Sequence, residues 1–200
     1  MEYKNTLEFM EALNKFVFDI PKLITNVTPI IIEGEQIISK KSVEKTIFER
    51  FKDIPFLNRI EVVKQSLFSQ VENKYLSSKD NSHFDYVEDK KTFYDFCKAQ
   101  VDAQVDAMIK TLDSVDIYKL LWSNIEKYTN MNLNSTKELT LNYLNNNEVK
   151  FEDITPIIYI RSSLEGFRSY GNMKHVLIDE AQDYSPLFYK IIKDPSLMLL

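Results

Sequence analysis

Two hundred residues with 44% hydrophobic and 28% charged side chains describe a globular chain able to bury a sizeable core. A net charge of −5 argues against the whole chain being a basic nucleic-acid-binding module. One cysteine, Cys97, and two histidines, His83 and His175, exclude a disulfide framework and a Cys/His metal cluster, and no apolar run or leader pattern suggests a membrane span or signal peptide, so a cytoplasmic protein is expected.

The first predicted element is a helix over "NTLEFMEALNKFVFDIPKLI". Leu7, Met10, Leu13, Val17 and Ile20 lie at helical spacing, and Asn5 or Thr6 is placed to cap it. In "VTPIIIEGEQIISK" two short β-branched runs flank Glu33-Gly34-Glu35, which predicts a hairpin. Ser39 then caps a helix with Val43, Ile47 and Phe51 on one face. Pro55 breaks that helix, and a longer one follows through Phe56, Ile60, Val63, Leu67, Val71 and Tyr75. Residues 77–85 are polar and turn-rich and predict a loop or the tip of a helical arm; Asp80, Asp85, Glu88 and Asp89 cluster there.

A long helix is expected from about Lys90 to Thr111, with Phe93, Phe96, Val101, Val105, Met108 and Ile109 inward and Cys97 as a buried, inert thiol. A further helix buries Leu120, Leu121 and Trp122, and a short one spans Lys137 to Leu144. In "DITPIIYIRSSLEGF" Asp153 or Thr155 caps a helix, Pro156 stands at its first position and Gly166 ends it. "KHVLIDEA" predicts a buried strand, and "SPLFYKIIKD" a helix capped by Ser185 with Pro186 in its first turn. Residues 1–150 thus form a mostly helical domain with one hairpin, and 151–200 turn to the helix–strand–helix grammar of an α/β domain. The aromatics at helical spacing are expected in the core. His83 is expected in solvent and His175 in a structural role. Lys40, Lys41, Lys45, Arg50 and Lys52 form a modest basic stripe.

The chemistry concentrates in "HVLIDEAQDYSP", His175 to Pro186. A strand leading into paired carboxylates suits a nucleotide-hydrolysing site. Magnesium prefers hard oxygen ligands and keeps several waters, and a second carboxylate can take a proton from an attacking water. The stretch resembles motif II of superfamily 1 helicases of the UvrD/Rep group. "YSPLFY", "DITPIIYIRSSLEGF", "LEFMEALNKFV", "GEQIISKKSVEKTIFERF" and "VDIYKLLW" look most like the HelD type, helicase-like ATPases that bind RNA polymerase. The resemblance implies an α+β chain: a helical insertion arm over 1–150, then part of the first P-loop, RecA-like ATPase domain over 151–200. It implies Asp179 as the magnesium-side carboxylate acting through water, Glu180 as the water-activating base, and Gln182 and Asp183 as coupling residues at the nucleotide. It implies ATP and Mg as cofactors of the full-length parent, and RNA polymerase as the partner of the insertion.

No GxxxxGK[ST] loop occurs, and the three glycines Gly34, Gly166 and Gly171 could not build one. GD-x-x-Q is absent too. The chain therefore reads as an internal helicase fragment, inactive as an ATPase and without cofactor by itself. Two other readings stay open: a superfamily 1 DNA helicase or translocase in repair, with DNA as a partner, and a non-enzymatic interaction module. A lone Val176–Ile178 strand needs parallel neighbours, so the carboxyl end is expected to be disordered, self-associated or rearranged.

Overall fold

The computed structural model describes residues 2–76, 87–166 and 175–193. Among them the chain is mainly helical with one antiparallel hairpin, an α+β composition. It forms two compact units. Residues 24–111 make one, and residues 1–23 with 112–200 make the other. The first is thus a continuous segment inserted into the second, whereas the change in sequence pattern falls near residue 150.

In the inserted unit, β1 (Ile30–Ile32) pairs with β2 (Glu35–Ile38). Ile32 faces Glu35 and Ile30 faces Ile38, with a bulge after Ile30. The turn needs positive φ at both central residues, and Glu33 (φ 50°) and Gly34 (φ 82°) supply it. Ile30, Ile32 and Ile38 are buried, as the pleat requires. The outer edge of β1 is closed by a side chain: Gln104 Oε1 accepts from Ile31 N–H (2.9 Å) and its Nε2 donates to Ile31 C=O (2.8 Å). A short antiparallel bridge joins the unit's two ends, with Asn26 N–H on Met108 C=O (2.7 Å) and Lys110 N–H on Ile24 C=O (2.8 Å).

Ser39 caps α2 (Lys40–Lys45), as its sequence predicts, and a wider π-type turn, Thr46–Arg50, continues it. α3 (Phe56–Val71) starts after Pro55 and buries Phe56, Ile60, Val63, Leu67 and Val71 against α4 (Val87–Met108). Arg59 is buried at the joint. Its guanidinium donates to the carbonyls of Ile47 (3.1 Å), Lys52 (2.9 Å) and Ile54 (2.6 Å), which the irregular turn leaves without helical partners. α4 buries Cys97, Val101, Val105 and Met108. Phe96, expected inward, is 43% exposed, because the buried stripe runs through Cys97 instead. The loop read over 77–85, with His83, Asp80 and Asp85, falls essentially outside the described residues, as do the side chains of Tyr75, Glu88 and Asp89.

In the other unit, Thr6 caps α1 (Leu7–Ile24), its hydroxyl accepting from Phe9 N–H (3.2 Å). The buried face is Phe9, Ala12, Leu13, Phe16 and Ile20, rotated from the predicted one; Leu7 is 58% exposed. The rotation follows the larger apolar payload of Phe9 and Phe16. Phe9 stacks on Trp122 (5.8 Å) and Phe16 meets Tyr128 edge-on (5.4 Å). α5 (Ser114–Ser123) is capped by Asp113 and buries Tyr118, Leu121 and Trp122, with Leu120 half-buried. α6 (Asn134–Asn145) begins a turn before the predicted Lys137. α7 (Phe151–Glu165) begins before Asp153, so neither Asp153 nor Thr155 caps it and Pro156 sits in its second turn. Gly166 ends it at φ 84°.

The predicted buried strand is not formed. Residues 175–178 pair with no strand, and Leu177 is 98% exposed. A parallel strand draws its hydrogen bonds from neighbours on the sheet, and none exists among the described residues to supply them. α8 (Pro186–Lys193) follows, with Ser185 Oγ accepting from Phe188 N–H (3.3 Å), as predicted for its cap.

Candidate functional site

The four acidic and amide residues singled out by sequence lie on one short turn. Asp179 and Glu180 precede a single 3₁₀ turn, Ala181–Asp183, and residues 179–183 are all exposed. Glu180 is left-handed (φ 48°, ψ 47°), which costs a non-glycine residue about 1 kcal/mol. Two local hydrogen bonds hold it there: Asp179 Oδ1 accepts from Glu180 N–H (2.9 Å), and Glu180 C=O accepts from Asp183 N–H (2.9 Å). Gln182 Nε2 donates to Glu180 Oε2. The backbone thus presents Asp179, Glu180 and Gln182 as one hydrogen-bonded group.

α8 anchors this turn. Leu187 is buried, and Tyr189 donates its hydroxyl to Ala181 C=O. Lys190 Nζ donates to Asn14 Oδ1 (2.8 Å) and to the Tyr159 hydroxyl (3.0 Å), while Tyr159 donates to the same Asn14 oxygen (2.7 Å). Tyr184 stacks on Phe188 at 4.2 Å. α1, α7 and α8 are therefore tied together directly behind the acidic turn. His175 is exposed.

Asp179 and Glu180 offer the hard carboxylate oxygens magnesium prefers, and magnesium commonly takes only one or two protein carboxylates beside waters and phosphates. No group of three or more His, Cys, Asp or Glu side chains converges among the described residues, so an all-protein metal cage is not present there.

Sequence reading missed a second polar constellation, deep in the same unit. Lys4 Nζ donates to Asp153 Oδ1 at 2.7 Å, the two side chains being 2% and 0% exposed. The Tyr118 hydroxyl donates to the same oxygen (2.7 Å), and Lys4 lies over the Trp122 ring, 5.1 Å from its centroid. Burial, then the Asp153 charge and hydrogen bond, push the Tyr118 hydroxyl well above its ordinary pKa. Asp153 Oδ2 has no hydrogen-bond partner. The pairing spans 149 residues of sequence, and no local pattern announces it.

Comparison with protein-family models, with curated proteins and with solved structures yields no match.

Proposed function

We propose that this chain is part of a HelD-type, superfamily 1 helicase-like ATPase that binds and remodels or recycles RNA polymerase. The observation that carries the reading is the sequence "HVLIDEAQDYSP". In it, Asp179 would hold magnesium through water and Glu180 would take a proton from the attacking water. Gln182, already bonded to Glu180, would sense whether that carboxylate is engaged, and Asp183 would act beside it at the nucleotide. ATP with magnesium supplies the phosphoanhydride to be cleaved, and the P-loop that cradles its phosphates is not in this sequence.

In this reading residues 151–200 belong to the first RecA-like domain. Support comes from α7, which is apolar on two sides. Asp153, Pro156, Tyr159, Ile160 and Leu164 are buried, yet Phe151, Ile154 and Ile158 are 79%, 43% and 47% exposed. One apolar side of α7 is used within this unit; in this reading the other side, with exposed Val176 and Leu177, is surface that a neighbouring sheet would cover. The inserted unit, 24–111, would belong to the polymerase-binding arm.

The test is retention of the 200-residue chain on immobilised bacterial core RNA polymerase at physiological salt without nucleotide. Retention that persists in the Asp179→Asn/Glu180→Gln variant is expected, because the arm and not the acidic turn makes the contact. Absence of retention by a chain shown to be folded by circular dichroism would overturn the polymerase assignment.

A further inference from the structure

We propose that Tyr189 and Lys190 of α8 are positioning residues for the acidic turn. They fasten it to α1 and α7 and so keep Asp179, Glu180 and Gln182 together as one group. Their part in catalysis rests on the nucleotide reading of the turn; the fastening itself does not.

Local bonds alone hold the turn weakly. It is a single 3₁₀ turn, exposed from 179 to 183, with Glu180 in the left-handed conformation. The bond from Glu180 N–H to Asp179 Oδ1 lies at the surface, where it competes with water. Upstream, residues 175–178 pair with no strand, so no ladder anchors the turn from that side. Downstream it is fastened from outside: the Tyr189 hydroxyl donates to Ala181 C=O, at the residue after Glu180.

That bond positions the turn only if α8 is itself fixed. Eight residues are too few for a helix to stand alone in water. Leu187 supplies the apolar anchor, and Lys190, the residue after Tyr189, supplies the polar one. Its ammonium donates to Asn14 Oδ1 (2.8 Å) and to the Tyr159 hydroxyl (3.0 Å), and lies 5.1 Å from the centre of the Tyr159 ring. Tyr159 gives its own proton to the same Asn14 oxygen (2.7 Å), which leaves its hydroxyl oxygen to accept from Lys190. Side chains of α1, α7 and α8 thus close a triangle in which each fixes the other two. By linkage, a divalent cation bound to the turn in this conformation stabilises the triangle, and loss of the triangle weakens the cation.

The test is amide hydrogen exchange of the 200-residue chain, followed by NMR at Asp183, whose N–H donates to Glu180 C=O. Tyr189→Phe should speed this exchange about 2- to 10-fold, the worth of one hydrogen bond. Lys190→Met and Asn14→Leu should each speed it about 5- to 30-fold. Asn14→Asp offers Lys190 a carboxylate and still accepts from Tyr159, so it should exchange no faster than the wild type. Lys137→Met, which breaks the bridge to Glu126 on another helix, should change nothing at Asp183. Unchanged exchange in both Tyr189→Phe and Lys190→Met would overturn the proposal. So would Asn14→Asp exchanging as fast as Asn14→Leu, or equal acceleration by Lys137→Met. If Lys190→Met fails to fold, Tyr189→Phe, which removes a single oxygen, decides. Broadening of the 179–183 amides by Mn²⁺ reads the metal separately. It should be weaker in Lys190→Met than in the wild type, and equal broadening would overturn the positioning of the carboxylates. No broadening in the wild type would count against the magnesium assignment, and the exchange comparison would still decide the fastening.

Discussion

Replacing Lys4 by Met and Asp153 by Leu, singly and together, probes the least local feature of the molecule. The two charges meet at 2.7 Å with both side chains essentially out of water. At an effective dielectric near 20 their attraction is about 6 kcal/mol, most of it offset by the loss of hydration. Removing one partner strands the other, at a cost of about 3–5 kcal/mol. Lys4→Met leaves Asp153 with the Tyr118 hydroxyl alone, its Oδ2 already unpaired. Asp153→Leu leaves Lys4 over the Trp122 ring, an interaction worth about 2 kcal/mol at most when desolvated. The double variant replaces the pair by apolar groups and should recover nearly all the loss. Trp122 is the only tryptophan and lies beneath Lys4, so its fluorescence reports this unit directly. In urea each single variant should lower the midpoint by roughly 1.5–2 M, and the double variant by much less. Single losses under about 1 kcal/mol, or additive losses in the double variant, would refute the buried-pair reasoning.

The same site responds to alkali. The Tyr118 pKa is raised in the folded protein, so its contribution to stability is complete below the unfolded value of about 10 and is lost as pH rises above it. Urea midpoints at about pH 8 and about pH 11 should fall further for the wild type than for Tyr118→Phe; equal falls would remove Tyr118 as the cause. Gln104→Ala should cost about 1–2 kcal/mol in the inserted unit and selectively speed exchange of the Ile31 amide, whose acceptor is the Gln104 side chain. Arg59→Lys cannot reach the carbonyls of Ile47, Lys52 and Ile54 together and should cost about 3 kcal/mol, whereas Arg50→Lys, exposed, should cost under about 0.5 kcal/mol. Leu177→Glu should leave stability within about 0.5 kcal/mol, because Leu177 is 98% exposed; a large loss would show that residues 175–178 pack as a strand after all.

Elements set by local chemistry were legible in the sequence. The Glu33-Gly34 turn, the caps at Thr6, Ser39 and Ser185, the break at Pro55 and the stop at Gly166 all act within a few residues. So was the acidic group, because Asp179, Glu180, Gln182 and Asp183 are adjacent and need only one turn to meet. Tertiary structure decided the rest. Periodicity proposes a helix face, but the choice of Phe9 and Phe16 over Leu7 and Val17 depended on Trp122 and Tyr128, more than a hundred residues away. Asp153 reads locally as a helix cap; packing against α5 and the residues before α1 makes it a buried acceptor for Lys4 and Tyr118. An apolar run such as Val176–Ile178 is a strand only when neighbours accept its hydrogen bonds. That condition lies in the sheet and not in the run itself.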